Sequence, residues 1–197
     1  MHKKFIGTLV LMTGLIFASG CIYAQSDTIP VRNDQNWTPV VDDSHNMDLG
    51  FGFGLDYGGL LGIQAGFAPV KHLTIFAAGG YYILGFGWQL GIKGLFIPKT
   101  TKHAVRPFLK ASYGTNSVIV VDGTDKYDKI YNGFIVGVGV EFRFGKKKQN
   151  GFDMDLNVPL RTIDFWDDWN TVKNDPGLEV VQDPLPVAFS IGYHHEF

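Results

Sequence analysis

The side chains with chemical potential lie near the C-terminus and in a few polar stretches. Ser190, His194 and Glu196 share one parity of a terminal strand: a hydroxyl, an imidazole and a carboxylate, the groups of an acyl-transfer site. Their spacing works against that chemistry. Four residues of strand cover about 13 Å, too far for a Ser–His hydrogen bond. His194 and His195 point to opposite faces and cannot hold one metal ion together. Asp122, Asp125 and Asp128 suggest a Ca²⁺ loop, but their spacing departs from the EF-hand pattern, and Lys126 and Lys129 interrupt it. A solvated acidic loop is the plainer reading, so no metal and no cofactor is expected. Phe165, Trp166 and Trp169 stand among Asp164, Asp167, Asp168 and Asp175 and have the best binding potential. They suit either a ligand or a lipid headgroup layer. The run Lys146-Lys147-Lys148 reads as a solvated turn or as a contact for anionic headgroups.

The elements that must position these residues are strands. Between Leu84 and Ile97, Leu84, Phe86, Trp88, Leu90 and Ile92 occupy one parity, and Gly85, Gly87, Gln89, Gly91 and Lys93 the other. Side chains alternate faces along a strand, so one face is greasy and the other is small and sparsely charged. A soluble sheet would coat its second face with polar residues. A glycine-lined face suits instead the inner wall of a narrow barrel whose apolar face meets lipid.

The bulk composition agrees. The chain has 197 residues, with 25 Gly and 16 Phe, although Gly is normally depleted in strands. Only 18% of residues are charged, which points away from disorder. Beyond the N-terminus there is no run of about 18 apolar residues, so no helical membrane span is expected there. The N-terminus reads as a secretory signal: His2, Lys3 and Lys4, an apolar stretch from Phe5 to Ile16, then Ala18, Ser19 and Gly20. Cleavage after Ala24 removes residues 1–24, leaving 15 bases against 19 acids, a net charge of −4. That mild acidity argues against a nucleic-acid partner. Cys21 leaves with the signal, unless Ala18-Ser19-Gly20-Cys21 serves as a lipobox-like acceptor lacking the usual Leu. Residues 25–46 are polar and aperiodic and read as a flexible lead-in, with a docking peptide around Trp37, Val40 and Val41 as the alternative. Asn36-Trp37-Thr38 fits the short N-glycosylation pattern, which is often met by chance.

Alternation then runs from residue 47 to 197. The first strand sets Leu49, Phe51, Phe53, Leu55 and Tyr57 outward against Asp48, Gly50, Gly52, Gly54 and Asp56. Gly58-Gly59 turns the chain into a second strand through Phe67. A third spans Leu73 to Tyr82 with bulk on both faces, and a fourth spans 84–97. The fifth runs from Val105 to Val118, the sixth from about Phe134 to Phe144 and the seventh from Phe152 to Leu160. A long loop follows at 164–186, then the eighth strand from Val187 to Phe197. The expected fold is all-β: a closed eight-stranded antiparallel transmembrane β-barrel with a Gly-rich polar lumen. An open sheet edge does not survive in lipid, which requires closure. Asp48, Gln64, Lys93, Lys110, Glu141, Arg143, Asp153, Asp155, Arg161, His194 and Glu196 fall on the inner parity and form the expected lumen network. Their signs nearly balance, as unpaired buried charge is costly.

On this pattern, residues 47–197 resemble the eight-stranded outer-membrane barrels of the OmpA/OmpX type, the porin-like barrels of Gram-negative bacteria. The C-terminus strengthens the resemblance: Ser190, Gly192, Tyr193 and Phe197 look like the family's assembly signal, with His195 where an apolar residue is usual. The resemblance implies an outer-membrane location, surrounding lipids, recognition by the barrel-assembly machinery after periplasmic chaperone escort, and a monomer. It also implies periplasmic termini and turns at 69–72, 98–104 and 145–150, with loops 115–131 and 164–186 outside. The function expected is non-enzymatic, structural or surface-interacting, with a lumen plugged by charged side chains. Some barrels of this kind modify lipid A with Ser, His and acid residues, so an enzyme is one alternative. A narrow pore for small solutes is a second, and a soluble lipocalin-like barrel a third.

Overall fold

A computed structural model describes residues 46–197 apart from 83, 101, 122–124 and 179–182. The expected signal peptide, Cys21, the lead-in segment with Asn36 and Trp37, and Asp122 lie outside the described residues. Eight strands run in chain order: β1 (Met47–Gly54), β2 (Gly59–Val70), β3 (Leu73–Tyr82), β4 (Gly85–Leu95), β5 (Val105–Ile119), β6 (Lys129–Phe144), β7 (Asn150–Leu160) and β8 (Ala188–Glu196). Each pairs antiparallel with its neighbour in the chain, and β1 pairs with β8 to close the barrel. Closure leaves no sheet edge with unpaired backbone groups.

The faces divide sharply. Large apolar side chains point outward from every strand, among them Phe51, Ile63, Phe86, Leu109, Phe134 and Leu156. Phe86 is 71% exposed and Ile63 is 64% exposed. A band of this kind around a whole barrel is incompatible with water and matches a hydrocarbon environment. Most of the large apolar side chains therefore face lipid, and the polar residues lie within, beside a few buried apolar ones such as Phe76, Phe108 and Ile135.

Large inner side chains need room, and the register supplies it. Asp48 faces Gly66 across the ladder, His194 faces Gly50, Arg143 faces Gly151 and Asp155 faces Gly139. A Cβ on any of these glycines would run into the side chain opposite. The glycine-rich parity is thus a set of vacancies for specific partners.

Two expectations need correction. The first strand does not continue to Tyr57. β1 ends at Gly54, and Leu55–Tyr57 form a 3₁₀ turn that folds into the lumen, so Tyr57 is 2% exposed rather than lipid-facing. Gly54 (φ 109°) and Gly58 (φ 71°) hold the positive-φ positions that bracket this reversal, a region side chains beyond Cα disfavour. Once inside, Asp56 meets Lys110 and Tyr57 meets His194, so the polar interior draws the turn inward.

The second correction concerns the long loop, which contains a helix, α1 (Ile163–Lys173). Phe165, Trp169 and Val172 recur at helical spacing and pack on Ile119, Val121 and Tyr131, where β5 and β6 extend beyond the barrel. Asp164 in the first turn and Lys173 in the last suit the helix dipole. Tyr131 shares the inner parity of Gly133 and Ile135, so α1 packs on the lumen side of the extended β5–β6 hairpin. A shift in the β5–β6 register between Thr115 and Ser117 adjusts the hairpin here, and the Asn116 side chain donates to the Leu160 carbonyl at 3.1 Å. The helix with its small apolar core forms a cap at the loop end of the barrel.

Candidate functional site

The lumen is the candidate site, and its polar groups fall into two connected tiers. Toward the end that carries the chain termini, Lys93 of β4 donates to Asp153 of β7 at 2.6 Å and to Glu141 of β6 at 3.3 Å. Arg143 bridges Glu141 at 3.2 Å and Glu196 at 3.5 Å. Arg106 donates to Glu196 at 2.9 Å, and Lys99 reaches both Asp48 at 2.9 Å and Glu196 at 3.2 Å. Toward the loop end, Lys110 pairs with Asp56 and, at 3.1 Å, with Asp155. Asn157 continues this tier, donating to Asp155 at 2.6 Å and to Ser190 at 2.9 Å.

His194 links the tiers to the folded-in turn. Its Nε2 lies 2.7 Å from the Tyr57 hydroxyl, and its Nδ1 lies 3.3 Å from Asp48. The Tyr57 ring fits beneath Gly52 and Gly192, which pair across the β1–β8 seam, and its carbonyl fits against Gly62 and Gly80. Six acidic side chains (Asp48, Asp56, Glu141, Asp153, Asp155, Glu196) meet five basic ones (Lys93, Lys99, Arg106, Lys110, Arg143) within this interior.

Ten of the eleven residues expected on the inner parity are buried inside the barrel. Arg161 is not among them. It stands half-buried past the end of β7, donating to Ser117 at 3.1 Å and to the Leu185 carbonyl at 2.6 Å, with its guanidinium against Phe165. The network also holds Asp56, which shares the inner parity of Asp48, and Tyr57, Lys99 and Arg106, which were not expected inside. Arg106 shares the parity of Phe108 and Lys110, a signal that could have found it. Lys99 gives no such signal, because it lies in a connection that folds inward after β4.

The Ser–His–acid constellation is not assembled. Ser190 accepts from Asn157, whereas His194 faces Tyr57 and Asp48. Gly192 and Tyr193 line the seam, and Tyr193 donates to Asn150 at 2.7 Å. His195 points away from His194 and also meets Asn150, at 2.8 Å, while Phe197 packs on the His195 ring. Of the aromatics expected to bind through the long loop, Phe165 is buried in the cap and Trp169 packs against it; Trp166 alone of the three is exposed. Asp128 accepts from the Val121 amide at 3.0 Å.

The cap carries the altered acids outside the barrel. Hydrogen bonds from Lys129 and Tyr131 hold the Asp168 carboxyl below its ordinary range. Tyr127 and the Gly177 amide do the same for Asp175, and Lys173 for Asp183.

Fold and site together define a class: a closed, eight-stranded membrane β-barrel with a packed polar lumen and a helical cap. No family model and no curated protein matches the chain. Among solved structures, one described as "De novo design of transmembrane beta-barrels" is similar at 11% identity, covering 78% of this chain and 97% of its own, with a TM-score of 0.42. The N-terminal β-barrel domain of Pseudomonas aeruginosa OprF is similar at 7% identity, covering 77% and 98%, with a TM-score of 0.41.

Proposed function

We propose that this chain is a non-enzymatic barrel of the Gram-negative outer membrane, with a structural or surface-interacting role and a lumen plugged by its own side chains. The observation that carries this reading is burial inside the barrel. Arg106, Gln89, Glu141, His194 and Glu196 are each about 1% exposed, and Phe108 and Ile135 are fully buried. Residues lining a water-filled pore would be wetted, and these are not. Eight strands enclose a space that side chains can fill, which suits a plug.

The separation of Ser190 from His194, and the enclosure of both, supports a non-enzymatic role. The cap supplies the surface. Trp166 is 43% exposed and Ile163 is 79% exposed on α1, beside the acids Asp164 and Asp167. In this reading the cap faces outward, the termini are periplasmic, and the barrel works as a monomer among outer-membrane lipids. Ser190, Gly192, Tyr193 and Phe197 then present the signal read by the assembly machinery after chaperone escort.

The test compares boiled and unboiled protein by electrophoresis in detergent, then records currents after reconstitution in planar bilayers. A heat-modifiable band without discrete conductance is the expected result. Discrete conductance would replace the plug with a pore. A protein folded and soluble without detergent would overturn the membrane assignment.

A further inference from the structure

The short connections at the termini end carry lysines that the network inside does not use. Lys102 lies between β4 and β5, and Lys146, Lys147 and Lys148 lie in the turn between β6 and β7. Lys102, Lys146 and Lys147 are exposed, and Lys148 is half-exposed. Among the described residues, no ion pair or hydrogen bond engages any of these four ammonium groups. The acids of this end are turned away from them: Asp48, Glu141, Asp153 and Glu196 are buried in the lumen and matched there by Lys99, Lys93, Arg143 and Arg106.

The other end behaves differently. Lys129 pairs with Asp168 and Lys173 with Asp183, so those cations are satisfied within the cap. The height of the unpaired lysines also matters. Outward apolar side chains continue to the rim, with Phe96 64% exposed before Lys102 and Phe144 43% exposed before Lys146. A lysine just past the last lipid-facing ring can lay its stem on hydrocarbon and place its charge among headgroups.

We propose that this rim binds the phosphate headgroups of anionic phospholipids in the leaflet on the termini side. The proposal rests on the membrane-spanning reading above and adds a lipid preference to it. An ammonium donates three hydrogen bonds and carries one charge, which a phosphodiester accepts. A zwitterionic headgroup brings its own cation and offers no net charge, so the attraction distinguishes the two lipids.

The full chain is refolded into vesicles with equal parts of phosphatidylcholine and phosphatidylglycerol, and re-extracted in mild detergent. Native mass spectrometry then counts the lipids retained. In about 0.05 M salt, retained phosphatidylglycerol should exceed phosphatidylcholine on the order of fivefold. The K102Q/K146Q/K147Q/K148Q variant should fall to near parity, while K129Q/K173Q keeps the enrichment. Equal retention by the unaltered chain, or undiminished enrichment in the quadruple variant, overturns the proposal. Heat-modifiable mobility is read on the same samples. Its loss from the unaltered chain would undo the barrel reading itself; its retention without a lipid preference would undo the rim alone.

Discussion

Lys93 of β4 and Asp153 of β7 meet at 2.6 Å through the interior, joining two strands that are three places apart around the barrel. Both side chains are shut off from solvent, and Glu141 and Arg143 complete their surroundings. A contact of this kind braces the wall from within, which backbone pairing between neighbours cannot do. Replacing Lys93 with Met leaves Asp153 and Glu141 short of a cation, at a cost of about 3–5 kcal/mol. Urea unfolding in lipid vesicles should show this loss. Adding Asp153→Asn should restore part of it, because the second change removes the stranded charge.

The Tyr57 turn gives a steric prediction. Gly192→Ala places a methyl group against the Tyr57 hydroxyl end and should destabilise the barrel by about 1–3 kcal/mol. Combining it with Tyr57→Ala should cost less than the two single losses added together, since the added methyl then meets only the Phe51 carbonyl and no longer the ring. Additive losses in urea midpoints would show that ring and glycine do not compete for one volume. Tyr57→Phe keeps the ring and loses the bond to His194, with an expected cost of about 1 kcal/mol.

The cap should come apart without the barrel. Phe165 anchors α1 to Tyr131 through an edge-on ring contact at 5.2 Å and sits in a core separate from the lumen. Phe165→Ala removes that anchor, and losses of about 3 kcal/mol are typical for such truncations. Limited proteolysis should then cut within residues 163–173, while the heat-modifiable band persists. Loss of the band would mean that cap and barrel fold as one unit.

Acid should loosen the same cap through Asp168. The hydrogen bonds from Lys129 and Tyr131 depress its pKa in the folded state. A depressed group contributes its stability above its unfolded value, near 3.8, and loses it as pH falls through the lower folded value. Hydrogen-exchange protection of α1, corrected for intrinsic rates, should therefore stay level from neutral pH to about 4 and drop below it. Asp168→Asn should lower protection at neutral pH and flatten that drop.

The strands were legible because lipid on one side and a crowded lumen on the other enforce a strict two-residue alternation, as in β4 and β6. Where that rule relaxes, the sequence misleads. Tyr57 keeps the outward parity of Phe51 and Phe53, yet positive-φ glycines turn it inward, and no local pattern distinguishes the cases. Lys99 looks like any turn lysine, because its partners Asp48 and Glu196 lie at opposite ends of the barrel sequence. The helix at 163–173 was missed for another reason. Phe165, Trp169 and Val172 hold its only inward stripe, and the surrounding aspartates and prolines read as loop. Arg161 keeps strand parity, but it lies beyond the last residue of β7 and turns to the cap.

The first hairpin also bears on the register of closure. The β1–β8 seam joins the strands furthest apart in the chain and turns the sheet into a closed ring. Tyr57 touches that seam from beneath, under Gly52 and Gly192. A slip of two residues would set Ser190 or His194 opposite Gly52, and the phenol would lose its space. The ring thus serves as a gauge that admits one register at this seam.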